Sequence, residues 1–438
     1  MPFFQLPQLK ARPHSSLLLR PLVLLAAATL FALSLPSASH AAERAVHFFG
    51  QAGDGAKPAA PLLIDPSGAL FGTTVGGGSG ACAGGCGTVF KLTPSPHGYT
   101  ETTLYDFRGG LDGAAAFSGL IEDAAGALYG TTAAGGSSAC AGLGCGTVYK
   151  LTPTKSGYSE SVLYAFAGGI DGSSPRFGSL IADSSGALYG TTESGGAGCR
   201  GNGCGTVFKL TPRRSGFAES VLYRFAGGSD GVAPLYGLVA DAHDVLYGTT
   251  TGGGNLGCAR GNGCGTVFAL TPTRGGYVES ILYRFSGAFD GAGPNALTGN
   301  GSGELYGTTV SRGLGRNGTV FKLTPLRNGY VESTLFSFGD GPTGSGPAGA
   351  LLLDAAGGLY GTTLSGGTFG NGTVYKLTPS RLGYRQTILY DFGSAAGDGG
   401  WPQAGLVVDA KGRLFGTVSA GGNATCGGLG CGAAFEIH

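Results

Sequence analysis

Seven times along the chain an apolar-aromatic pair is followed by Gly-Thr-Thr or a near copy, as in Leu128-Tyr129-Gly130-Thr131-Thr132. The glycines stand at Gly72, Gly130, Gly190, Gly248, Gly307, Gly361 and Gly416, giving a period of 58, 60, 58, 59, 54 and 55 residues. Recurrence at this length means repeated supersecondary units in a ring or a stack, because one such unit cannot bury its own apolar faces.

Residues 178–225 show one unit plainly. A short apolar run, Gly178 to Asp183, is closed by Ser184-Ser185-Gly186 before Leu188-Tyr189-Gly190-Thr191-Thr192. An Asp side chain bonds the backbone two residues on and Gly accepts positive φ, so Asp-x-x-Gly is a turn former. It recurs at Asp65, Asp123, Asp354 and Asp409, with Asn300 in its place once and Asp241 lacking the glycine. After a Gly-rich loop come a third strand, Gly205 to Pro212, and a fourth, Phe217 to Phe225, rich in β-branched and aromatic residues. We letter the four a to d from the inside outward. No helical periodicity interrupts them.

The first residues after an N-terminal leader, Glu43 to Phe49, align with strand d, and the last, Gly432 to His438, align with strand c. Pairing the two ends completes a seventh unit and leaves no bare edge. The expectation is an all-β fold, a closed seven-bladed β-propeller over residues 42–438.

Lys10, Arg12 and Arg20 precede an uncharged apolar run from Leu22 to Leu35, and small residues follow up to Ala41. This reads as a secretory signal peptide over residues 1–41, cleaved near Ala41. Its apolar run is short for a bilayer span, and no second one follows, so no membrane span is expected after cleavage. Without the leader, 24 Lys and Arg face 26 Asp and Glu. That balance gives no electrostatic footprint for nucleic acid. A monomer that is secreted or periplasmic is expected.

The ten cysteines fall into local pairs in the loops between strands b and c: Cys82 with Cys86, Cys140 with Cys145, Cys199 with Cys204, Cys258 with Cys264, and Cys426 with Cys431. Units five and six lack both members together, with Arg316-Asn317-Gly318 and Gly370-Asn371-Gly372 in their place. Joint presence or absence is what a disulfide inside one loop requires, and an exported protein meets oxidising conditions. Two thiols without a histidine fall short of a zinc site.

Alternating strand direction places the b–c loops and the d-to-a crossovers on one face, the loop face. The crossovers repeat an acid at Asp54, Asp112, Asp171, Asp230, Asp290, Asp340 and Asp398, mostly as Asp-Gly-x-x-Pro. Seven hard oxygen donors suggest a polyol or calcium site, against the plainer reading of a turn-holding Asp-Gly pair. Departures from the repeat mark a specific site better: Trp401, Arg200, Arg260, Arg312, Arg316 and Asn255 all lie in loop-face segments. An aromatic with arginines suits a sugar or peptide. Gly227-Gly228-Ser229-Asp230-Gly231 matches Gly-x-Ser-x-Gly by spelling only, since no helix follows a strand there. No catalytic residue is assigned.

The unit Leu-Tyr-Gly-Thr-Thr to Gly-Thr-Val-Phe-Lys-Leu-Thr-Pro, with good copies at Leu188 to Pro212, Leu246 to Pro272 and Leu359 to Pro379, resembles the GloVer tandem repeat of bacterial "choice-of-anchor" proteins. The resemblance covers nearly all of the chain after the leader. It implies a bacterial, exported, often surface-displayed protein, and it carries no catalytic residues over. The leading expectation is an exported propeller, not an enzyme, that binds a glycan, peptide or cell-surface protein on its loop face. A saccharide lyase or hydrolase using crossover carboxylates is the alternative, and a structural spacer the third.

Overall fold

The computed structural model describes residues 43–438, apart from 52, 197, 259–260, 395–396, 423–425 and 427. The proposed leader lies outside the described residues. From His40 onward the chain is one compact unit, a seven-bladed propeller of four-stranded antiparallel blades. Blade 3 is typical: Ile181–Ala182, Leu188–Thr192, Thr206–Pro212 and Phe217–Arg224 run outward in that order. The inner strand is shorter than the apolar run suggests, because only two of its residues pair with strand b. A 3-10 turn, Cys199–Gly201, lies in the b–c loop of this blade.

The ends close the ring as expected. Glu43–Phe48 pairs antiparallel with Ala433–Ile437, from Glu43 opposite Ile437 to Phe48 opposite Ala433 with a register shift between Ala45 and His47, and supplies strand d of blade 7.

Each residue of the recurrent tripeptide has its own task. The glycine lies under an aromatic ring of strand c: a Cβ on Gly190 would stand 2.6 Å from the Phe208 ring and 3.0 Å from Leu180. The first threonine reaches into the next blade. Thr73 Oγ1 donates to Ser118 O at 2.9 Å, Thr191 to Tyr236 O at 2.9 Å, and Thr417 to Ala60 O at 3.1 Å across the seam. The second threonine meets a threonine of strand c within its blade, as Thr74 with Thr88 at 2.9 Å and Thr192 with Thr206 at 2.8 Å. In blade 7 both partners change together, to Val418 opposite Ala433. A lone hydroxyl buried there would lack a partner.

Two more contacts join every blade to the next. A phenylalanine after strand d meets the strand c aromatic of the following blade edge to face, from Phe107 and Tyr149 at 5.1 Å to Phe392 and Phe435 at 5.1 Å, with Phe49 and Phe90 tilted at 4.8 Å. Such pairs contribute about 0.5–1.5 kcal/mol beyond burial. In each crossover one residue turns left-handed: Lys57, Ala115, Ser174, Ala233, Gly293, Gly346 and Trp401. Its N–H donates to a b–c loop carbonyl of the preceding blade, Cys431, Cys86, Cys145, Cys204, Cys264, Asn317 and Asn371 respectively, at 2.7 to 2.9 Å. All five expected disulfides form, and among the described residues no cysteine is free. They tie down the loops that carry the accepting carbonyls.

Candidate functional site on the loop face

The crossover aspartates are engaged by their own surroundings. Tyr105, Tyr164, Tyr223, Tyr283 and Tyr390, near the end of the preceding strand d, donate their hydroxyls to Asp112, Asp171, Asp230, Asp290 and Asp398 at 2.7 to 3.0 Å. His47 takes that place at Asp54, 3.0 Å away. Backbone N–H groups add to this, such as Ala226 on Asp230 at 2.6 Å and Gly393 on Asp398 at 3.0 Å. Asp340, in the shortened crossover, accepts only from Asn317 Nδ2 at 3.1 Å among the described contacts. None of the seven lines the cavity on the propeller axis. The geometry is that of crossover staples held against the outer strands.

A second carboxylate faces the staple from the outer strand of the blade it leads into. Glu43, Glu160, Glu219 and Glu279 are pushed up to about 7, by burial first and then by the charges of Asp398, Asp112, Asp171 and Asp230. Glu101 and Glu332 are raised by the same causes, with Asp54 and Asp290 as the charges. In blade 6, where Asp340 is displaced, the equivalent residue is Gln386, which donates to Thr343 O at 2.8 Å. The pairing thus changes on both sides together.

These glutamates make stability depend on pH. A carboxyl whose folded pKa lies above its unfolded value stabilises the fold fully below about pH 4.5 and loses that contribution as pH rises through about 7. The turn aspartates act in the opposite sense: Asp183, lowered to about 2 despite burial by hydrogen bonds from Ser185 and Tyr189, is lost only in strong acid. The protein is therefore expected to melt higher at pH 5 than at pH 8, by about 1 kcal/mol per raised glutamate after discounting for solvent screening. Melting curves of the wild type and of Glu160→Gln/Glu219→Gln check this. The double variant should flatten the dependence, and a wild-type melting temperature that rises from pH 5 to 8 would refute it.

Trp401 is the residue that departs most from the repeat. It is the sole tryptophan of the chain and is 38% exposed. Its φ of 59° is a left-handed geometry that a bulky side chain seldom adopts. The strain is held by Trp401 N–H on Asn371 O at 2.9 Å and by Ser419, whose hydroxyl donates to Trp401 O at 3.1 Å. Beside it runs an open groove of about 370 Å³ between blades 6 and 7, bordered by Asn371, Asp398, Leu429 and backbone from Gly393, Gly399 and Gly421. An indole above glycine backbone with an amide alongside is a surface for a ring with one apolar face. Arg312 and Arg316 do not border this groove. Asn255 caps its own turn by accepting from Gly257 N–H at 3.0 Å, while Arg260 and the side chain of Arg200 lie outside what the structure describes. Among the described residues no three His, Cys, Asp or Glu side chains come together as a metal site.

A family model described as the Gloeobacter/Verrucomicrobia repeat matches residues 26–260 and 257–434. Among curated proteins no sequence matches. Solved structures share the fold at low identity. A candidate 6-phosphogluconolactonase of Bacteroides fragilis matches with a TM-score of 0.50 at 13% identity, over 80% of this chain and 87% of its own. A fungal alcohol oxidase of the AA5 family, in complex with copper, matches with a TM-score of 0.54 at 11% identity, over 91% of this chain and 76% of its own.

Proposed function

Since the chain belongs to the Gloeobacter/Verrucomicrobia repeat family, we propose that it is an exported binding propeller that captures saccharide on its loop face, over the Trp401 indole. The strained, half-exposed indole carries this reading, because strain at a bulky residue persists only where surrounding structure enforces it. The sevenfold scaffold supplies rigidity, and the blade junction that carries the sole tryptophan supplies selectivity. A sugar face lies against the indole while Asn371 and the glycine backbone meet its hydroxyls. The disulfides fit export into an oxidising compartment by the leader. Each crossover aspartate already has a protein donor, so binding is expected to be indifferent to calcium.

A polysaccharide array probed with oxidised protein, with and without calcium, tests this. A hit that Trp401→Ala weakens about tenfold or more is expected. The sole tryptophan also reports directly, since a docked sugar changes its emission. Hits that survive Trp401→Ala, or silence across the array, would overturn the saccharide reading.

A further inference from the structure

Two landmarks fix the register of the inner segment in every blade. One is the left-handed crossover residue, and the other is the leucine that packs on the Gly-Thr-Thr glycine, as Leu62 does on Gly72 and Leu238 on Gly248. Five blades place four residues between these landmarks, as from Lys57 to Leu62 or Trp401 to Leu406. Blade 3 has one more, from Ser174 to Leu180, and blade 5 one fewer, from Gly293 to Leu297. With both flanks fixed, the extra residue must bulge, and bulges re-aim side chains beside functional sites.

The bulge is Phe177. Its φ is 48°, and Gly178 N–H folds back onto Arg176 O at 2.5 Å. Phe177 stands against Phe117 at 5.0 Å and Tyr236 at 6.2 Å, so blades 2 to 4 bring an aromatic wall to the axis. Arg176 lies 5.4 Å over the Phe117 ring and 3.4 Å from Glu193, which balances its charge. Opposite Phe177 and Tyr236, blades 5 to 7 offer mostly small residues, Ala296, Gly349, Ala350, Ala404 and Gly405, with Leu297 and Gln403 beside them. Between the two sides lies an axial cavity of about 140 Å³.

No charged side chain lines this cavity. Two residues that line it, Tyr236 and Ser179, carry hydroxyls with no hydrogen-bond partner among the described residues. Burial pushes Tyr236 up to about 12, so it stays a neutral donor and acceptor. Gln403, on the same lining, donates Nε2 to Ser419 Oγ at 2.9 Å, and its side-chain carbonyl has no donor among the described residues. Apolar cavities of about 150 Å³ take a benzene-sized ring. A hexose carries more hydroxyls than two hydroxyls and one amide can match.

From the Phe177 bulge, the aromatic wall, the small-residue wall and the two unpaired hydroxyls, we propose that the axial cavity is a binding site for one uncharged, phenol-sized aromatic ring, with Tyr236 or Ser179 hydrogen-bonding its hydroxyl. The site is separate from the Trp401 groove and stands or falls apart from it.

Titration of the oxidised protein with phenol, benzene and glucose by calorimetry tests the proposal. Saturable one-to-one binding of phenol is expected, with benzene weaker and glucose inert. Ala404→Leu, which fills the cavity, should abolish phenol binding. Tyr236→Phe keeps the volume and should weaken phenol about tenfold while leaving benzene unchanged. Trp401→Ala should leave phenol binding intact, so failure of the saccharide reading would not affect this result. Absence of saturable phenol binding, or binding unaltered in both Ala404→Leu and Tyr236→Phe, would overturn the proposal.

Discussion

Removing residues 43–49 is expected to destabilise the protein by about 5 kcal/mol or more and to turn a closed ring into an aggregating one. The segment supplies strand d of blade 7, and its Phe49 is fully buried against Phe90 of blade 1. Loss of a buried phenylalanine alone costs about 3–5 kcal/mol. The five register pairs with Ala433–Ile437 and the Phe49 N–H to Gly432 O bond at 3.0 Å go with it. Strand c of blade 7 then becomes a bare edge, a template for pairing with another chain. Thermal melting and light scattering of the truncated protein, beside Phe49→Ala, separate the two effects. Phe49→Ala should lose stability and remain monodisperse, and a truncated chain that melts with the wild type would show the seam to be dispensable.

Reduction is expected to have an effect at least as large. Each disulfide closes a ring with its cysteines only 4 to 6 positions apart, for which chain entropy gives about 2 kcal/mol apiece, or about 10 kcal/mol for five. The native contribution is local: Cys145 O accepts the Ser174 N–H that latches blade 3 onto blade 2. Melting with and without a reductant should show a large downward shift, and Cys140→Ser/Cys145→Ser a drop near 2 kcal/mol with new protease cleavage in residues 132–146. An unchanged melting temperature under full reduction would mean that the aromatic and threonine joints alone hold the ring.

The blades, their closure and the cysteine pairing were legible because repetition shows each element seven times. The roles of the crossover aspartates were less so. The sequence left a ligand-bearing ring and a turn-holding role both open for them; in the structure five accept from tyrosines, Asp54 pairs with His47 and Asp340 accepts from Asn317. The signal was present: Tyr105 to Asp112, Tyr164 to Asp171, Tyr223 to Asp230 and Tyr283 to Asp290 keep one spacing, and His47 to Asp54 matches it. Trp401 stood out as a lone residue type, but its left-handed backbone belongs to a position where Lys57, Ala115 and Gly346 give no common letter. The Phe177 bulge is a one-residue difference in segment length. It becomes visible only when Leu180 and Ser174 are known to be fixed points.

The seam between Glu43 and Ile437 also decides how the ring comes apart and together. Stacked repeats with free ends fray from those ends, one unit at a time. Here every junction has the same Thr clasp or its Asn295 variant, the same aromatic pair and the same N–H latch. No unit is terminal, so unfolding has no preferred starting point and is expected to be cooperative over the whole circle. Assembly has the opposite problem. Six blades need only neighbouring sequence, while the seventh waits for the last-made strand to find one of the first. That pairing has the longest sequence separation in the molecule and is expected to be the slow step of folding. The small disulfide rings need no such wait and can set before the circle closes.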